Sequence, residues 1–232
     1  LRGRIETGFY DHEDLDKAVA YAQKRWTCDF GTGKRPLPPE QLLRESLKLA
    51  LIVRDLMIGN PRLADPAVGR KQGFKANVEL AQGYNAFAAG TQGQRQWTDY
   101  YSTFDVAEAL LNSSFDWNGP RAPMIVATEN DGKNAIGMMV GNLLSGGAAQ
   151  LFSDIRTNWS PASIHKATGV DVSKLCPNGI IDKRNSGAGA LDYALDIFKL
   201  VKGGSKMTVQ AVVRAIQNDP ALQKKLEDLA LK

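Results

Sequence analysis

At 232 residues, with 43% hydrophobic and 23% charged side chains, the chain has the composition of a globular protein able to bury a core, in one large or two small domains. Its 29 Lys and Arg are interleaved with 25 Asp and Glu, so the net charge of +4 gathers into no basic stripe for nucleic acid, and no run of eighteen apolar residues offers a membrane span. Two widely spaced cysteines, Cys28 and Cys176, give no support to a disulfide framework or a thiolate metal site and point to a reduced, cytoplasmic protein. The opening Leu-Arg-Gly-Arg-Ile-Glu carries neither Met nor an apolar leader, and reads as beginning inside a longer protein.

Leu15, Ala18, Val19, Ala22 and Trp26 follow helical spacing, which predicts a surface helix from Asp11 to Trp26 with Asp11 as N-cap. After a Gly- and Pro-rich loop (31–39), Leu43, Leu47, Ala50, Leu51 and Leu56 predict a helix over Glu40 to Met57, closed by Gly59, Asn60 and Pro61. A further loop leads to a helix over Asp105 to Leu111. Pro123 to Thr128 (PMIVAT) reads as a buried parallel strand, Lys133 to Leu144 as a helix, and Ala148 to Ser153 (AAQLFS) as a second buried strand. Ser160 and Pro161 open a short helix, Gly179 to Ile181 is a short strand, and helices fill the rest, with Thr208 as a cap. This order is that of an α/β fold: a Rossmann-like open sheet with flanking helices over residues 1–145, then the start of a second domain over 146–232.

In open α/β sheets ligands bind beyond the carboxyl ends of the strands, and both predicted strands end in an acid, Glu129 and Asp154. If the strands are neighbours, the two carboxylates converge on one rim, where oxygen donors suit a hard divalent cation such as Mn²⁺ or Mg²⁺. An acid after a strand is equally a helix cap or turn former, and Asp131 is read that way. His12 and His165 lie in polar helical contexts and read as solvated. Gly187-Ala188-Gly189 lacks the strand-turn-helix setting of a dinucleotide site, and no GxxxxGK[ST] occurs.

Three strings carry more than periodicity: AAGTQGQRQWTDYY (Ala88 to Tyr101), FDWNGPRAPMIVATEND (Phe115 to Asp131) and FSDIRTNWSP (Phe152 to Pro161). With RDLMIGNP (Arg54 to Pro61) and GIIDKRNSG (Gly179 to Gly187), they resemble the L-fucose isomerase family from about Leu1 to Asp192. The resemblance implies an aldose–ketose isomerase that takes L-fucose and D-arabinose through a cis-enediol with Mn²⁺, in a cytoplasmic homo-hexamer whose partner is a small sugar. By position, Glu129 and Asp154 match the family's carboxylate metal ligands and acid/base pair, and Gln92 and Ser186 match residues that contact sugar hydroxyls.

The resemblance also implies an N-terminal domain and a C-terminal histidine as third metal ligand, and neither His12 nor His165 lies in matching sequence. After Asp192 the likeness fades. A fragment, a chain with unbuilt regions and a divergent homologue all fit this pattern. Rival functions are a catalytically silent sugar-binding or assembly module, with the tail helices as partner surface, and an arabinose isomerase, whose motif strings are less like these.

Overall fold

The computed structural model describes residues 1–28, 37–91, 104–184 and 188–192. The chain divides into two compact units, Leu1–Ala190 and Leu191–Lys232, of which the second lies almost wholly outside the described residues, as do the expected tail helices and Thr208.

In the first unit a short helix α1 (Arg2–Glu6) precedes α2 (His12–Arg25), whose N-cap is Asp11 with its side chain accepting from the Asp14 amide. Leu15, Ala18 and Ala22, on one face, are buried. They pack on α3 (Pro39–Ile58), where Leu47, Ala50, Leu51 and Ile52 are inaccessible to water. Gly59 ends α3 with φ 81°, a conformation that a side chain resists.

The stretch expected as a loop holds instead a 3₁₀ turn (Pro61–Ala64), α4 (Pro66–Gln72) and α5 (Val78–Ala81). Each starts from a side-chain cap, Asn60, Asp65 and Asn77, and the first two caps are followed by proline at the first helical position. Phe9, Leu63, Phe74 and Ala81 form a satellite core there, with the Phe9 and Phe74 rings edge to face at 5.6 Å.

Strand β1 (Ala88–Thr91) pairs in parallel with β4 (Ile125–Thr128), Thr91 standing opposite Thr128. Between them run α6 (Asp105–Leu111) and a hairpin of β2 (Phe115–Asp116) and β3 (Gly119–Pro120). Helix α7 (Gly132–Leu144) follows β4 and covers one face of the pair: Ile125, Ala127 and Ala88 pack with Ala135 and Met138 of α7 and with Phe152. Because side chains alternate along a strand, Ala89, Val126, Thr91 and Thr128 face the other way, towards α3 and α6. The parallel pair between helices is the α/β arrangement expected.

The second expected strand is different. Ala148–Ser153 makes no strand ladder; its buried side chains are Ala149 and Phe152, and Phe152 packs against Ala135 and Met138 of α7. The ladder begins where it was expected to end: β5 (Asp154–Trp159) pairs antiparallel with β6 (Ile180–Arg184) as a separate ribbon, with α8 (Pro161–Thr168, N-cap Ser160) between. An apolar run can be buried by side-chain packing alone, and periodicity does not distinguish that from a strand.

The polar ties between layers are internal. Arg54 bridges Asp14 at 2.7 Å and Asp55 at 2.8 Å, and its guanidinium lies 5.1 Å from the Trp117 ring. The Trp117 indole N–H donates to Asp14 at 2.8 Å, which joins α2, α3 and the hairpin. His12 is half-buried rather than solvated: its ring stacks on Tyr10 at 4.3 Å and its Nε2 lies 3.0 Å from the Gly8 carbonyl. His165 is exposed, as expected.

Asn112, buried at the end of α6, takes the place of a neighbouring strand for β4: its amide donates to the Val126 carbonyl and accepts from the Val126 N–H, both at 2.9 Å. Replacing Asn112 with Ala strands both backbone groups in a dry site, each at roughly 1–3 kcal/mol. Asn112→Ala is therefore expected to lower unfolding free energy by at least about 2 kcal/mol, read from urea titration midpoints.

Candidate functional site

The carboxyl ends of β1 and β4 are the polar end of the pair, and the residues beyond them form the candidate site. Directly after β4, Glu129 and Asn130 adopt left-handed backbone conformations, with φ 57° and 59°. Each costs about 1–3 kcal/mol for a residue with a side chain, a strain found where surrounding structure dictates the geometry. The constraint here is close packing. A Cβ built on Gly90 would lie 2.9 Å from both Cα and Oδ1 of Asn130 and 3.1 Å from the Ala127 carbonyl, so the turn rests on the bare backbone of β1.

Asp131 then caps α7, its carboxylate accepting from the Lys133 and Asn134 amides at 2.9 and 3.0 Å, the role its position predicted. The Asn134 side chain reaches out of that first turn to the Ser153 carbonyl at 3.0 Å and to Asp154 Oδ1 at 3.3 Å, while Asp154 Oδ2 pairs with Arg156 at 3.0 Å. Glu129 and Asp154 are thus both assembled around the start of α7, one in the turn before it and the other against its first turn. The expected route, two adjacent strand tips, is corrected: Asp154 opens β5, which pairs with β6 and not with β4. Gln92 and Ser186 lie outside the described residues.

Beneath this turn lies a carboxyl group that its sequence context does not single out. Glu108 of α6 is 1% exposed and its Oε2 accepts from the Thr128 hydroxyl at 2.7 Å. Burial pushes its pKa up to about 7, the nearby charges of Asp105 and Glu129 push the same way, and the Thr128 hydroxyl and the Ala188 amide pull against them. Among the described residues, its other oxygen, Oε1, makes no hydrogen bond of good geometry, and neither does the buried Thr91 hydroxyl on the same side of the sheet. The signal was its phase: Glu108 lies four residues after Phe104 and three before Leu111, on the face that goes into the core.

A cavity of about 280 Å³ opens beside the turn, on the α7 side of β1. Asn130 and Asp131 are its polar wall, with Ala88, Ala135, Ile136 and Met139 around them, and neither Glu129 nor Asp154 lines it. The carboxylate oxygens of Glu129 and Asp154 are hard donors of the kind Mn²⁺ or Mg²⁺ takes, so the donor chemistry fits the expected cation. Among the described residues, no set of three His, Cys, Asp or Glu is grouped to hold a metal ion. Among them too, no helix is long and apolar enough to cross a membrane.

Comparison with known proteins agrees with the motif strings. Residues 1–146 match the family model described as the second N-terminal domain of L-fucose isomerase. Proteins named L-fucose isomerase from Escherichia coli strains SMS-3-5 and O127:H6 are each 49% identical over 197 residues, covering 83% of this chain and 32% of theirs. The same protein from strain K12 / DH10B has the same identity and coverage. The chain therefore spans about a third of the length of these relatives.

The raised Glu108 pKa has a stability consequence. In the unfolded chain the group ionises near its ordinary value, in the folded protein near pH 7, so the neutral form's stabilising contribution is present below the lower value and is lost as pH rises through the higher one. Urea midpoints measured from pH 4.5 to 8 are expected to fall for the wild type relative to Glu108→Gln, which stays neutral throughout. Parallel curves for the two proteins would refute the assignment.

Proposed function

This chain belongs to the L-fucose isomerase family, and from that premise we propose that it serves an aldose–ketose isomerase acting on L-fucose, with D-arabinose as a second substrate. The observation that carries the reading is the placement of Glu129 and Asp154 around the start of α7, in a chain 49% identical over 197 residues to proteins bearing that name. Isomerisation through a cis-enediol moves a proton between C1 and C2, so a base must reach one carbon and then return the proton to the other. Glu129 and Asp154 perform that exchange. The strained turn at Glu129 fixes the approach of its carboxylate, and Asn134 holds Asp154 by Oδ1.

The same two carboxylates hold Mn²⁺ or another hard divalent cation, which supplies the Lewis acidity that polarises the sugar carbonyl. Gln92 and Ser186 bind sugar hydroxyls in this reading. Residues 1–145 form the α/β domain and 146–232 the start of the next, within a cytoplasmic homo-hexamer. A second reading, a sugar-binding or assembly module without turnover, draws support from the lack of a three-ligand metal set among the described residues.

The test is Mn²⁺-dependent ketose formation from L-fucose and D-arabinose by the protein in its natural full length. Glu129→Gln and Asp154→Asn are each expected to reduce turnover by at least about a hundredfold, the scale of a lost acid/base group. Turnover retained in either variant overturns the assignment, and a wild type that binds L-fucose without converting it supports the second reading.

A further inference from the structure

We infer that Glu108 is a positioning residue, whose carboxyl, through the Thr128 hydroxyl, sets the strand end from which Glu129 projects. The inference rests on the proposed role of Glu129 and goes beyond it, since Glu108 lies on a different element and faces the opposite side of the sheet from α7.

Three observations lead there. The first is location. Thr128 is the last residue of β4 and Glu129 the next, so the 2.7 Å bond from the Thr128 hydroxyl to Glu108 fixes the residue before the left-handed turn. Thr128 and Glu129 share one rigid peptide, so a displacement of the held strand end carries the start of the turn with it. The second is expense. A buried hydroxyl and carboxyl could be replaced by an apolar pair of the same shape at little cost to stability, and the fold keeps instead a carboxyl with one oxygen lacking a good hydrogen bond. Such a group is retained where it does something other than stabilise.

The third is the set of segments the carboxyl joins. The Ala188 amide approaches it from a segment far along the chain, two residues after Ser186 in sequence. Glu108 therefore links α6, the tip of β4 and the start of the 188–190 stretch, where Ala190 is again buried. The Thr91 hydroxyl stands opposite Thr128 on the same side of the pair and, among the described residues, likewise makes no hydrogen bond.

The experiment compares wild type, Thr128→Val, Thr128→Ser, Glu108→Gln and Glu129→Gln in the natural full-length protein, with Mn²⁺ present and L-fucose as substrate. Thr128→Val keeps the branched volume and removes the hydroxyl; it is expected to lower kcat about ten- to a hundredfold with KM changed less than about threefold, the effect of a small displacement of a catalytic group. Thr128→Ser restores the hydroxyl, and Glu108→Gln keeps an oxygen that accepts from it; both are expected within about threefold of wild type, by the same positioning argument. Thermal melting checks that each variant is folded.

If Thr128→Val retains wild-type kcat, or if Thr128→Ser falls as far as Thr128→Val, the bond has no positioning role and the inference is overturned while the role of Glu129 stands. If Glu129→Gln itself turns over normally, or the wild type shows no turnover, the underlying reading fails and the inference falls with it.

Discussion

The parallel pairing of Ala88–Thr91 with Ile125–Thr128 is the joint from which the site is built. Strands this short cannot hold their place by ladder hydrogen bonds alone, and they are fixed from three directions. Helix α7 packs Ala135 and Met138 on one face, α3 and α6 cover the other, and Asn112 satisfies Val126 along the outer edge. With the pair immobilised, the turn beyond β4 is held in a conformation its own residues disfavour, and the absence of a side chain at Gly90 lets Asn130 sit where it does. The strain at Glu129 and Asn130 is offset by packing that lies elsewhere, since such a conformation persists only where the surrounding structure dictates it.

The family likeness divides between scaffold and site. RDLMIGNP contributes Arg54, Asp55 and Asn60, whose side chains bond one another or Asp14, and Asn60 also caps the 3₁₀ turn. FDWNGPRAP contributes Trp117, which donates to Asp14, and Arg121, which pairs with Asp116 at 3.1 Å. Removing one partner from such a buried charge pair is costly, because the other charge is then left uncompensated. The candidate site takes the last residues of the longer string, after β4, together with Asp154.

Helices were legible in the sequence because their signals are local. Asp11, Asp131 and Ser160 cap as their positions predicted, and the apolar spacing of α2, α3, α6 and α7 gave bounds close to those observed. The caps Asn60, Asp65 and Asn77 were equally local, but the helices they open are too short for periodicity to register. Strands were harder. AAGT of β1 has no alternation and one β-branched residue, so only its pairing with β4 makes it a strand. AAQLFS had the composition of a strand and was buried by Phe152 beneath α7 instead. Glu129 was legible from its place after a strand. Glu108 was legible only in its phase with Phe104 and Leu111, because a carboxyl inside a helix otherwise reads as part of a solvated face.

The ribbon of β5 and β6 gives Asp154 an unusual mechanical position. Most of β5 is exposed, Ile155 included, as is Ile181 of β6, and the ribbon's far end pairs Trp159 with Ile180. Six residues of strand extend roughly 20 Å, so a tilt of about 10° at the base sweeps the far end through roughly 3 to 4 Å. Asp154 is at the ribbon's base, where Asn134 anchors it to a helix, so a tilt about that base would leave it almost in place. The arm can accommodate whatever it meets at its tip without disturbing the carboxylate at its root.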